Sequence, residues 1–237
     1  MNRRRIAIAG AVVVVALAGY IVTAAPPGPR SMRNFDPHRV AQLELRMWQA
    51  YYARQNIRLF GLLVTMLREQ YHYSWAMAAR EAFHLARAAA TFGDAHDNYE
   101  QVLPQIEAGY RVARDWLNAG GPEGPPYGHA GGPEGAPDGH VGQRRVGFDP
   151  AAVARAELAW WVARRIPGQN DPEQVGGLIA DEYALLYEVP RDTVLAAGIA
   201  RARAGRLRDL QAQTPDWAII GSMLDDSYVH LRNAVGR

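Results

Sequence analysis

Apolar residues recur at three- and four-residue spacings through most of this chain, the period of helices with one buried face. The clearest run follows Phe35-Asp36-Pro37, where Val40, Leu43, Met47, Trp48, Tyr51 and Tyr52 share a face. The pattern returns after Phe148-Asp149-Pro150, with Val153, Ala156, Trp160 and Trp161 on the matching stripe. Asp at an N-cap accepts from an unpaired backbone N–H, and Pro at the next position needs no donor there. Phe35 and Phe148 stand where an apolar residue staples onto the first turns. Glu44 and Glu157 interrupt the two stripes in the same register, each one turn before a large aromatic.

The same signals delimit the other helices. The first helix spans 37–55, and a second segment reaches residue 71, with a break expected near Asn56 because Pro167 to Pro172 form a loop at the matching place. Helices are expected over 75–92, capped by Ser74, and over 98–118, where Pro104 marks a first turn or a kink. In the second half they are expected over 150–165, 172–187, from Pro190-Arg191-Asp192 to near 205–207, and over 216–235. Tyr110 and Tyr228 hold equivalent places in the last helix of each set. The fold class expected is therefore all-α: a duplicated four-helix unit, about eight helices in a pseudo-two-fold bundle, behind an N-terminal transmembrane helix. Asp36, Pro37, Glu44 and Trp48, with Asp149, Pro150, Glu157 and Trp161, are its expected structural residues.

Residues 6–25 carry no charge and match the roughly 20 apolar residues that cross a hydrocarbon core as a helix. Arg3, Arg4 and Arg5 precede them, which places the N-terminus (1–5) in the cytoplasm and the bulk outside it, in the periplasm. An uncleaved signal-anchor is expected over a cleaved signal peptide. The apolar run is long for the latter, and Pro26-Pro27 follow the passable cleavage site Val22-Thr23-Ala24. Residues 26–34 read as a stiff spacer. The first helical repeat is 35–118 and the second 148–237. Between them, 119–147 includes a tandem Gly/Pro-rich repeat, GGPEGPPYGHA and GGPEGAPDGHV, a composition that builds no packed core. His129 and His140, with Glu123, Glu134 and Asp138, are potential metal ligands there, but a plain linker is the simpler account.

Composition changes the picture only by exclusion. Of 237 residues 49% are hydrophobic, enough for a sizeable core, and a formal net charge of +2 argues against a nucleic-acid partner. The absence of Cys removes disulfides, thiolate metal sites and thiol catalysis. The sharpest chemical candidate is a ferritin-like carboxylate-bridged centre for iron or manganese, built from Glu44, Glu157 and the Glu-x-x-His pair Glu81 and His84. The second half lacks a matching Glu-x-x-His; Glu182 is a substitute without a His. The preferred expectation is that the stripe acids find donors in Trp, Tyr or Arg and fix packing, with no catalytic residue and no cofactor. Asp225-Asp226 with His230, and the basic run Arg201, Arg203, Arg206 and Arg208, read as surface features. The function expected is a non-catalytic accessory or interaction subunit of an envelope complex. Its partners would be another membrane or periplasmic protein and, through 6–25, the bilayer.

Overall fold

A computed structural model of the chain describes residues 15–26, 30–119 and 145–236. Among these residues the secondary structure is helical, without strands. A short stretch, α1 (15–23), precedes eight packed helices. These are α2 (Pro37–Tyr52), α3 (Asn56–Tyr71), α4 (Trp75–Asp94), α5 (Leu103–Asn118), α6 (Pro150–Arg165), α7 (Pro172–Tyr187), α8 (Arg191–Leu210) and α9 (Trp217–Val235), with a 3-10 turn over Tyr99–Val102. Asp36 accepts from the N–H groups of His38 and Arg39 at 3.0 and 3.2 Å, and Asp149 from that of Ala151 at 3.0 Å. Pro37 and Pro150 sit in the first turns. The chain breaks after Tyr52 through Arg54, held at positive φ, and α3 begins at Asn56. Pro104 lies in the first turn of α5, where it costs no hydrogen bond.

Each helix packs mainly on its neighbours in sequence, and α9 returns to α2, closing a ring. Consecutive helices run antiparallel, through short connections everywhere but between α5 and α6, where Asn118 meets Val146, so α3, α5, α7 and α9 all end at one rim. The chain ahead of α2 crosses that rim. Arg30 donates to the carbonyl of Trp116 near the end of α5, at 3.2 Å. Arg33 donates to the carbonyls of Tyr187 and Val235, at the ends of α7 and α9. Cationic donors there satisfy carbonyls that have no intrahelical partner. Met32 and Phe35 are buried in the core beneath. Residues 30–34, expected to be a spacer, therefore form a strap that seals the ring. Asn118 exchanges hydrogen bonds with the N–H and carbonyl of Val146, joining the ends of the 119–147 segment; most of that segment, His129 and His140 included, lies outside the described residues. The expected anchor 6–25 is described only from residue 15, and among the described residues no helix is long and apolar enough to cross a membrane.

The ring is not evenly tight. α7 and α8 pack far more extensively than α3 and α4. Gly61 on α3 has open space where a Cβ would stand. Gly61→Ala is expected to raise stability by about 0.5–1 kcal/mol, because a helix-interior Gly loses more backbone entropy on folding than Ala. Urea denaturation followed by circular dichroism measures it.

Candidate functional site

The interior of the ring is lined by acids and tyrosines, and the helices supply them in turn: Glu44 from α2, Tyr71 from α3, Glu81 from α4, Tyr110 from α5, Glu157 from α6, Glu182 and Tyr183 from α7, Arg201 from α8 and Tyr228 from α9. Each occupies a position that the helical period turns inward. An acid taken out of water needs donors or must give up its charge.

Glu44, 2% exposed, has the strongest set. Arg201 Nη2 and Nε reach its Oε1 at 2.6 and 3.0 Å, and Trp48 Nε1 at 3.2 Å. Burial works against the Arg201 charge, but Glu44, joined by Tyr183 and Tyr228, outweighs it and holds the guanidinium firmly protonated. Arg201 also lies 4.8 Å from the centre of the Trp160 ring. Trp48 thus serves the acid through its indole N–H, while Trp161 packs edge-on against Phe92 and Trp160.

Glu182 receives Tyr110 Oη at 3.0 Å on Oε1 and Trp160 Nε1 at 2.5 Å on Oε2. Burial raises its pKa, opposed by Arg201 and by these two donors. Glu157 neighbours Glu182 across Tyr110; burial first, then the Glu182 charge, pushes it up to about 8. Glu81 is buried and accepts from the Tyr73 hydroxyl; burial pushes it up to about 8 as well. Gln70 donates to the Tyr187 hydroxyl at 2.7 Å across the ring, and Tyr71 stacks on Tyr73 at 5.2 Å. Burial raises the phenols of Tyr71, Tyr73, Tyr110, Tyr183, Tyr187 and Tyr228, so all stay protonated, and Tyr73 and Tyr110 donate to Glu81 and Glu182. Two oxygens, Glu44 Oε2 and Glu157 Oε2, are enclosed without a hydrogen-bond partner.

Glu44, Glu81 and Glu157 thus share one interior, but His84 does not join them. Glu81 and His84 point apart: Glu81 faces inward, while the His84 ring is part-exposed and meets Gln105 at 3.3 Å. Three residues along a helix is only 300°, and the edge His84 shares with Arg80 and Arg87 is an outer one. Among the described residues no three His, Asp or Glu side chains stand close enough together to hold a metal ion. Asp225, rather than Asp226, has the cross-helix role: it meets His38 Nδ1 at 2.8 Å where α9 closes on α2. Arg201 is the residue that its surroundings in sequence conceal, since it belongs to a basic run whose other members serve elsewhere. Arg203 pairs with Glu173, and Arg208 lies over the Tyr52 ring.

The raised acids set a pH dependence. In the folded chain Glu81 and Glu157 keep protons that an unfolded carboxyl releases near pH 4–4.5. Their contribution is complete below that value, declines as pH rises through the interval to about 8, and is not lost further above it. Each group changes the folding constant by up to about tenfold per pH unit within the interval. His38, raised by its hydrogen bond to Asp225, acts in the same direction as it loses its proton. The melting temperature is therefore expected to fall between pH 5.5 and 9, and Glu157→Gln to flatten the profile.

A scan against protein-family models found no match, and comparisons with curated proteins and with solved structures likewise returned none.

Proposed function

We propose that this chain is a membrane-anchored accessory subunit whose helical ring, outside the cytoplasm, docks against another envelope protein without catalysing a reaction. The observation that carries this is a contrast between inside and outside. The interior acids Glu44, Glu81 and Glu182 are engaged by the chain's own Arg201, Trp48, Trp160, Tyr73 and Tyr110, and a strap of the same chain covers one rim. At the opposite rim, where α2 and α8 end and α9 begins, Tyr51, Leu210 and Ile219 stay 55%, 66% and 48% exposed beside the Tyr52–Trp217 contact. Large apolar side chains grouped at one tip suit a protein contact. The tip lies at the end away from Ala24, whose carbonyl Arg68 holds near the end of α3.

Duplication of a four-helix unit accounts for the ring's regularity. α2 and α6, and α3 and α7, have 16 residues each, and α4 and α8 have 20. α3 and α7 both end in a left-handed residue, His72 and Glu188. Copurification of the full chain from its native membrane tests the docking reading. A stoichiometric protein partner retained by the wild type and lost with Leu210→Asp/Ile219→Asp supports it; a wild-type chain that carries no partner overturns it.

A second reading, a degenerate carboxylate-bridged iron or manganese protein, draws on the enclosed partnerless oxygens of Glu44 and Glu157. Metal analysis of the purified chain decides it: bound metal lost on Glu157→Gln favours that reading over the first.

A further inference from the structure

The outer face of α3 and α4 differs in chemistry from the rest of the ring. Ile57 is 93%, Phe83 57% and Trp75 39% exposed, spread along both helices. Arg58, Arg80 and Arg87 are exposed among them. The acids of this pair of helices are engaged or set apart from these side chains. Glu69 faces Arg39 of α2, Glu81 is buried in the ring, and Asp94 closes the far end of α4. On α7 and α8 the corresponding cations are matched, Arg191 with Asp181 and Arg203 with Glu173. The face is also continuous with the apolar N-terminal segment. Arg68 of α3 donates to the carbonyl of Ala24 at 3.3 Å, one residue beyond α1, and its guanidinium lies 4.6 Å from the Trp75 ring. Val15 and Tyr20 of α1 are themselves 71% and 70% exposed.

We propose that the α3–α4 outer face rests on an anionic phospholipid surface, with Trp75, Phe83 and Ile57 entering the headgroup boundary and the arginines meeting phosphates. Unopposed cations interleaved with large apolar side chains on a helical face fit that surface, because apolar burial and attraction to anionic lipid add. A Trp beside the point where the chain turns toward its apolar segment matches the aromatic belt of membrane interfaces. The proposal rests on residues 6–25 anchoring the chain, and the test separates the two.

The absence of Cys allows a single nitroxide label on the full chain, at Phe83→Cys or, as control, at the exposed Ala196→Cys of α8. The labelled chain is reconstituted with vesicles of phosphatidylcholine, with and without phosphatidylglycerol, and flotation is scored. In the anionic vesicles the label at 83 is expected to lose collisions with an aqueous nickel complex, while the label at 196 keeps them. Arg80→Glu/Arg87→Glu is expected to abolish that protection without stopping flotation. A chain that floats with both sites equally accessible, or with 83 protected in neutral vesicles too, overturns this proposal alone. A chain that floats with neither vesicle overturns the anchor and the proposal with it.

Discussion

Arg201→Met is expected to destabilise the ring by about 3–5 kcal/mol, because it leaves Glu44 buried without its charge partner. The side chain itself is replaced by one of similar reach, so lost volume is a small part of the effect. Trp48 Nε1 remains on Glu44 Oε1, one neutral donor where three nitrogens had converged. The double variant Glu44→Leu/Arg201→Met is expected to recover most of the loss, since removing both charges also removes the need to desolvate them. A double-mutant cycle by urea denaturation measures the coupling between the two sites. If Arg201→Met were nearly neutral, the pair would be solvated and the ring interior open to water.

The second large effect lies where α7 crosses α8. A Cβ on Gly198 would stand 2.2 Å from the carbonyl oxygen of Gly176 and 3.0 Å from the N of Ala180. A Cβ on Gly176 would stand 2.5 Å from the Cα of Ile199. These are backbone atoms, so no rotamer change relieves the contact and the helices must separate. Gly198→Ala is expected to lower stability by at least about 1–3 kcal/mol, the usual range for overpacking. Moving α8 also moves Arg201, three residues on and nearly one turn away. The variant should therefore disturb the acid layer, seen as a change in Trp fluorescence from Trp160 and Trp48. Gly61→Ala, the opposite case on α3, meets nothing.

Much of this architecture is legible in the chain. The boundaries of α6 and α7 follow directly from Asp149-Pro150 and Asp171-Pro172, because cap chemistry is local. α8 runs past the expected stop to Leu210, since Gly205 packs against Arg164 and tertiary contact outweighs a local breaker. Glu44 stands out in sequence by breaking an apolar stripe, and so do Glu157 and Glu182. Their partners do not. Arg201 looks like one more arginine near a helix end until ring closure brings α8 opposite α2, a contact across 157 residues. Glu-x-x-His spacing was a misleading cue for the same reason: it fixes two side chains on one helix but not which of them the neighbouring helices cover. The strap is invisible to periodicity because Arg30, Met32 and Arg33 act through carbonyls at the ends of distant helices.

Packing of α9 on α2 is what closes the ring. His38 and Asp225 meet there, far apart in sequence. In the otherwise Cys-free chain, His38→Cys/Asp225→Cys can be treated with a short bis-maleimide and digested. A closed ring predicts one intramolecular cross-link joining the α2 and α9 peptides in nearly every molecule. Two separately capped cysteines, or links only between different chains, would contradict it.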